Sequence, residues 1–236
     1  MKIGGLQKLT LLDYPGKTAC TVFLSGCNFR CPFCHNASLV VPEKLDEGIE
    51  EEELFRFLKK RQGLLEGVCI TGGEPLLQEK IYPLLVKIKN CGYQVKLDTN
   101  GSFPERLKKA VEAGLVDYVA MDLKNSPSHY KKTIGFETSK AAANTAEIAQ
   151  SVQYLLKGKV DYEFRTTVVK GLHTVKDMEE IGNWIAGAKR YYIQNFVDSG
   201  DLVGSGEWME PFSKKELSKL LNAVKSKVPN SWIRGE

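Results

Sequence analysis

Six short runs rich in β-branched and aromatic residues recur along this chain, and each is followed by a stretch long enough for a helix. The runs are Thr18–Leu24, Gly67–Thr71, Tyr93–Leu97, Asp117–Met121, Tyr162–Val169 and Tyr191–Phe196. Between them, Glu50 to Leu58 opens with acidic residues that suit the positive end of a helix dipole, and Ile81, Leu84, Leu85 and Ile88 recur at helical spacing. Leu107, Ala110 and Val111 mark another helix, as do Ile148, Val152, Leu155 and Leu156, and Met178, Ile181 and Ile185. Ser213-Lys-Lys-Glu216 is a capping box that opens a helix carrying Leu217, Leu220, Leu221 and Val224. Strands separated by helices pair in parallel through right-handed crossovers. A closed barrel of eight such units needs about 250 residues. The predicted fold is therefore α/β, a partial (β/α)6 TIM-like barrel with mostly parallel strands.

Residues 1–236 read as one domain. Residues 1–17, with the turn signal Asp13-Tyr14-Pro15-Gly16, form a lead-in strand or loop. Residues 197–236, where Gly200, Gly204 and Gly206 precede the last helix, form a C-terminal loop and helix and a candidate partner-binding region. Hydrophobic content of 42% and charged content of 26% are ordinary for a globular protein. The net charge of +4 is spread over what read as helix faces, which argues against nucleic acid. The start of the chain lacks the apolar core of a signal peptide, and no run approaches the ~18 apolar residues of a membrane span. The reading is cytoplasmic, so the clustered cysteines suggest a metal or catalytic site rather than a disulfide framework.

In a parallel α/β sheet the loops and helix N-termini converge at the C-terminal strand ends, and chemistry belongs there. The first strand runs into Cys27-Asn28-Phe29-Arg30-Cys31-Pro32-Phe33-Cys34-His35-Asn36, with cysteines spaced C-x3-C-x2-C. The next strands end in Thr71-Gly72-Gly73-Glu74-Pro75, Asp98-Thr99-Asn100-Gly101 and Asp122-Leu123-Lys124, and the fifth carries Arg165 before Lys170-Gly171. Singly, Gly-Gly-Glu-Pro is also a tight turn, Asp-Thr-Asn-Gly a turn and cap, and Asp122 with Lys124 a surface ion pair. An arginine within a β-branched strand must find an anionic partner if buried. Together, polar clusters at the same end of five successive strands point to a site.

Three thiolates leave one position of an iron–sulfur centre open for a substrate or cofactor. Two other readings of the stretch remain. Cys31-Pro-Phe-Cys34-His35 matches c-type haem attachment, which accompanies export and leaves Cys27 without a role. A zinc site of Cys27, Cys31, Cys34 and His35 requires adjacent residues both to ligate. Cys20, Cys69 and Cys91 read as packed thiols, and His129 and His173 as loop residues.

C-x3-C-x2-C after a first strand and Gly-Gly-Glu-Pro after a second resemble the radical S-adenosylmethionine (SAM) enzymes. Gly5-Leu6-Gln7-Lys8, Asp13-Tyr14-Pro15-Gly16-Lys17, the cysteine stretch, Leu97-Asp-Thr-Asn-Gly101 and Met121-Asp-Leu-Lys124 are similar to the glycyl-radical-activating enzymes, above all the activating proteins of anaerobic ribonucleoside-triphosphate reductase. The similarity fades from about Phe196 onward. It implies that Cys27, Cys31 and Cys34 hold three irons of a [4Fe–4S] cluster whose fourth iron chelates SAM, and that Phe33 lies against the adenine. It implies that Gly72, Gly73 and Glu74 receive the methionine ammonium, and that Arg165 pairs with the SAM carboxylate. Asp98, Thr99 and Asp122 match positions around a monovalent cation; that cation, or Lys124, would separate the two carboxylates from an anionic ligand.

The implied reaction is reductive cleavage of SAM, with the 5′-deoxyadenosyl radical taking a hydrogen atom, so no catalytic acid–base residue is expected. The implied partners are a glycyl-radical enzyme, anaerobic ribonucleotide reductase first, and a flavodoxin- or ferredoxin-type electron donor. Activation of pyruvate formate-lyase or another glycyl-radical enzyme, a small-molecule radical SAM reaction and a non-enzymatic zinc-binding module are the alternatives.

Overall fold

The computed structural model describes residues 2–41, 48–135, 145–198, 200, 202–204 and 208–235; Gly206 lies outside them. One eight-stranded sheet runs in sequence order. Strand β1 (Ile3–Thr10) pairs antiparallel with β2 (Ala19–Leu24). All further pairs are parallel: β2 with β3 (Gly67–Gly72), then β4 (Gln94–Thr99), β5 (Tyr118–Asp122), β6 (Asp161–Val168), β7 (Tyr191–Asn195) and β8 (Ser231–Arg234). The helices are α1 (Ala37–Val40), α2 (Glu51–Lys60), α3 (Ile81–Asn90), α4 (Pro104–Glu112), α5 (Tyr130–Thr133), α6 (Thr145–Leu156), α7 (Val175–Trp184) and α8 (Lys214–Lys225).

The six expected strands are β2 to β7, each followed by a helix, and they form the expected partial barrel. Two strands lie outside that count. The lead-in is a full eight-residue strand, and Ser231–Arg234 adds a parallel edge beside β7. Only four residues long and begun by a serine, β8 carries too little alternation to be read as a strand from sequence.

Alternate residues of a strand face opposite sides of the sheet. On the helix-covered side, Val22, Leu24, Val68, Ile70, Val95, Leu97 and Val119 are fully buried and join the main core. The inner side is polar. Register places Thr21, Cys69, Lys96 and Tyr118 in one row, with Asp122, Arg165, Tyr192 and Trp232 in another above it. Between the rows, fully buried Glu163 accepts from both Arg234 nitrogens at 2.8 and 2.9 Å and from the Tyr118 hydroxyl at 2.9 Å. The Arg234 guanidinium also lies 3.7 Å over the Tyr192 ring. Strand β8 thus delivers the cation that a carboxylate on β6 requires.

Both ends of the chain's helical half carry sequence-encoded caps. The Ser213–Glu216 box opens α8 as predicted, and a second box joins Thr174 and Asp177 at the start of α7. Asp177 also accepts from Ser126 Oγ at 2.6 Å and meets His129 Nδ1 at 2.6 Å, tying the loop after β5 to α7.

Candidate active site at the cysteine loop

The cysteine loop is fixed to the sheet by backbone contacts that only glycine permits. Gly72 has φ +117°, and a β-carbon on it would lie 2.3 Å from the Leu24 carbonyl oxygen. On Gly73 it would lie 2.0 Å from the Gly26 oxygen. With that closeness, Gly73 N donates to Leu24 O and Glu74 N to Gly26 O, each at 2.8 Å. The glycines therefore admit the cysteine loop itself, a closer neighbour than the ligand expected from the sequence. Gln78 Nε2 donates to Ser25 O at 2.7 Å, and Asn36 Nδ2 to Gly72 O at 3.2 Å.

The far side of the loop meets the segment after β7. Val203 N donates to Cys34 O at 3.2 Å and Gly204 N to Pro32 O at 3.0 Å. His35 is exposed, stacks on Phe196 with ring centroids 5.6 Å apart, and meets Val197 O through Nε2. Part of the stretch set aside as a C-terminal partner region thus packs against the cysteine loop from behind.

A cavity of about 280 Å3 opens at the C-terminal strand ends. Cys27, Cys31, Cys34 and Phe33 line it together with Gly73, Asp98, Thr99, Asp122, Lys124 and Arg165. Gln194 and Thr167, which the sequence did not single out as ligands, also line it. Glu74 stands one layer back and is fully buried. Its Oε1 accepts from Leu76 N at 3.0 Å and Thr99 Oγ1 at 2.8 Å, and its Oε2 from Asn100 N at 2.7 Å. Burial pushes its carboxyl up to about 7 against the pull of those hydrogen bonds. In this arrangement Glu74 braces the end of β4.

The charged wall is more completely paired than its sequence suggests. Arg165 donates through Nε to Asp122 Oδ1 at 2.8 Å, and its Nη2 is 3.2 Å from Asp98 Oδ2. Lys124 Nζ is 3.2 Å from Asp122 Oδ2, so this pair lines the cavity and is not a surface ion pair. Lys96 Nζ meets Asp98 Oδ1. Burial works against ionisation of both aspartates, but Arg165 with Lys124 or Lys96 outweighs it and holds each carboxyl below its ordinary value. Lys124 and Arg165 are held protonated by the same partners despite their burial.

Three residues of this architecture escape the sequence reading. Lys96 sits between Val95 and Leu97 with a side chain 1% exposed; the argument applied to Arg165, a charge within an apolar strand, applies equally to it. His173 is in a loop as expected, yet 3% exposed. Its Nδ1 accepts from Val169 N at 3.1 Å and its Nε2 donates to Lys124 O at 2.9 Å, which fixes a neutral tautomer that burial also favours. The Phe33 ring meets it edge-on at 6.4 Å. Asn100 links Asn28 and Ser102 and brings Nδ2 within 3.9 Å of Cys27 Sγ. Cys69, read as a packed thiol, is fully buried and lies 3.7 Å from Lys96 Nζ.

The donor set fits an iron–sulfur cluster. Burial pushes the Cys27 and Cys31 thiols up to about 11 and about 12, so thiolates at these positions call for a cationic centre. Cys27 Sγ already accepts from Phe29 N at 3.3 Å, the kind of contact that a cluster thiolate receives. Among the described residues no three His, Cys, Asp or Glu side chains converge on a single-ion position. The three cysteines line one cavity with the charged residues.

Residues 21–185 match the Radical SAM superfamily, a span of more than half of the chain. The chain belongs to the radical SAM superfamily. A Methanocaldococcus jannaschii protein named as a glycyl-radical enzyme activating enzyme is 30% identical over 237 residues, 98% of this chain and 95% of its own length. The pyruvate formate-lyase-activating enzyme of Clostridium pasteurianum is 26% identical, covering 94% of this chain and 98% of that one. A crystal structure of a domain of pyruvate-formate lyase-activating enzyme from Bacteroides vulgatus shares the fold, with a TM-score of 0.56 and 17% identity over 72% of this chain and 99% of that one. The expected radical SAM enzyme of the glycyl-radical-activating group is therefore borne out at the level of family. Among the described residues no helix is long and apolar enough to cross a membrane.

Proposed function

We propose that this chain is an activase that cleaves SAM reductively and generates a glycyl radical on anaerobic ribonucleoside-triphosphate reductase. The observation that carries the reading is one cavity lined both by three cysteines and by the Asp98, Arg165, Asp122 and Lys124 charges. A zwitterionic sulfonium ligand suits such a cavity, because its amino and carboxylate groups can chelate a metal centre and be matched by charged side chains. Cys27, Cys31 and Cys34 would hold a [4Fe–4S] cluster, which would supply the low-potential electron for reductive cleavage of SAM and so the hydrogen-atom abstraction from the partner's glycine.

The chain's own groups bind and exclude. Phe33 offers an apolar face to the adenine, and Gly73 brings backbone close to the methionine ammonium. Arg165 has five N–H donors and uses two on Asp122 and Asp98, which leaves donors for the ligand carboxylate. Glu74 holds the Thr99-Asn100 turn in place, with the ammonium as its further partner. The aspartate pair is balanced either by a dissolved monovalent cation or by the chain's own lysines. No group has to move a proton for hydrogen-atom abstraction; positioning and water exclusion are the protein's task.

We take residues 1–236 as one domain acting in the cytoplasm, with residues 197–236 contacting the partner and a flavodoxin- or ferredoxin-type protein supplying the electron. Reduced, reconstituted protein mixed with SAM and the reductase should give a glycyl EPR doublet. No doublet, with the cluster and SAM cleavage intact, overturns the target. Similarity to the Clostridium pasteurianum enzyme favours pyruvate formate-lyase as the second reading, and the same mixture with that enzyme decides between them.

A further inference from the structure

We propose that Lys96 acts as a built-in cation of the ligand site, making the binding of an anionic carboxylate there independent of dissolved monovalent ions. The proposal rests on the SAM-site reading and adds a residue to it. Asp98 and Asp122 offer four oxygens between them, and the chain meets each with a different nitrogen. Asp98 Oδ1 takes Lys96 Nζ, Asp98 Oδ2 takes Arg165 Nη2, Asp122 Oδ1 takes Arg165 Nε, and Asp122 Oδ2 takes Lys124 Nζ. Three cations face two carboxylates, so this wall carries a net charge of +1. Adding the Glu163–Arg234 pair leaves that balance unchanged.

Lys96 differs from its neighbours in the network. Asp98, Asp122, Lys124 and Arg165 all line the cavity, whereas Lys96 approaches Asp98 from below and is 1% exposed. Cys69 Sγ, 3.7 Å away, is its second neighbour within the barrel. An ammonium held there gives the Oδ1 edge of Asp98 a fixed cation where a dissolved ion would otherwise have to sit. Without it the wall is neutral, and the Asp98 Oδ1 edge is left without a cation beneath it, one layer below the cavity that an anionic ligand enters. Lys96 is thus a positioning residue: it sets the charge and direction of Asp98, and through Asp98 the orientation of Arg165.

The test is equilibrium binding of SAM to anaerobically reconstituted protein by calorimetry, in choline chloride, sodium chloride and potassium chloride at one ionic strength. Wild type should bind with the same Kd, within about twofold, in all three salts. Lys96→Met should bind at least tenfold more weakly in choline chloride and recover a large part of that loss in potassium or sodium chloride. A purely structural role for Lys96 would weaken binding equally in every salt. The wild-type measurement needs no variant, so the proposal stands or falls even if Lys96→Met does not fold. Wild-type binding that tightens tenfold or more, saturably, with potassium or sodium over choline overturns it, as does Lys96→Met binding equal to wild type. No SAM binding in any salt, with cluster absorbance intact, overturns the SAM-site reading and takes this proposal with it.

Discussion

A β-carbon on Gly73 would stand 2.0 Å from the Gly26 carbonyl, one residue before the first cysteine, so a substitution there must displace the loop that carries the cluster ligands. Gly73→Ala is expected to lower iron and sulfide content after anaerobic reconstitution to less than half of wild type. Gly92 is the control: it also has a positive φ, +86°, but nothing lies within 4 Å of its missing β-carbon. Gly92→Ala should cost about 1 kcal/mol of stability from backbone strain and leave iron content unchanged. Glu74 carries a pH signature. Its folded carboxyl lies at about 7, above its ordinary value of 4.5, so the folded state holds the proton more tightly. Its contribution to stability is present below about 4.5 and is lost as pH rises through about 7. Urea midpoints of the metal-free protein measured from pH 5 to 7.5 should fall more steeply for wild type than for Glu74→Gln. Equal slopes would show that Glu74 is ionised throughout.

At the scale of elements, Asp177 joins three partners that a single cap would not. It closes the α7 capping box with Thr174 and receives Ser126 and His129 from the loop after β5. Asp177→Ala should cost roughly 2–3 kcal/mol, since it removes the reciprocal half of the capping box and leaves the buried Ser126 hydroxyl unpaired; thermal melting at pH 7 checks it. Such contacts mark the boundary of what sequence could show. The inner six strands were legible because Val68-Cys-Ile70 or Val119-Ala-Met121 are runs buried on both faces, bounded by turn residues. The Cys, Gly-Gly-Glu-Pro and Asp-Thr-Asn-Gly clusters were legible because each is compact in sequence and falls at a strand end. Lys96 and His173 were not, nor was the link from Asn100 to the cysteine loop. Each acts on a group from a different segment or from inside the barrel, and only the register of β3 through β6 brings those groups together. Strand β8 escaped for a related reason: what defines it is its pairing with β7 and the Arg234 bond to Glu163, both distant in sequence.

Across the whole molecule, the inner face of the sheet is a continuous charge network beneath the cavity, and Arg234 supplies one of its cations from the sheet edge. Arg234→Ala would leave Glu163 buried and ionised without its bidentate partner, at a cost of about 3–5 kcal/mol near neutral pH. Arg234 and Arg165 hold the Glu163 carboxyl below its ordinary value against burial, so that stability is present at neutral pH and lost as pH falls. Adding Glu163→Gln to the Arg234→Ala background should restore a substantial part of the urea midpoint, because removing both charges removes the unpaired one. No recovery would mean that Arg234 acts through its packing on Tyr192 alone.

The Glu163–Arg234 pair spans 71 positions of chain, and on a ribosome that separation is a delay. At about 5–20 residues per second, Glu163 is made roughly 4–14 s before its partner. Through that interval its carboxylate must stay wet or take up a proton, and the inner face of the nascent sheet cannot dry. Stalled chains that expose residues up to 228 outside the exit tunnel should therefore be cut readily by a brief protease pulse, and chains that expose residue 235 should resist it. Emergence of one arginine sets the time at which the barrel interior can close.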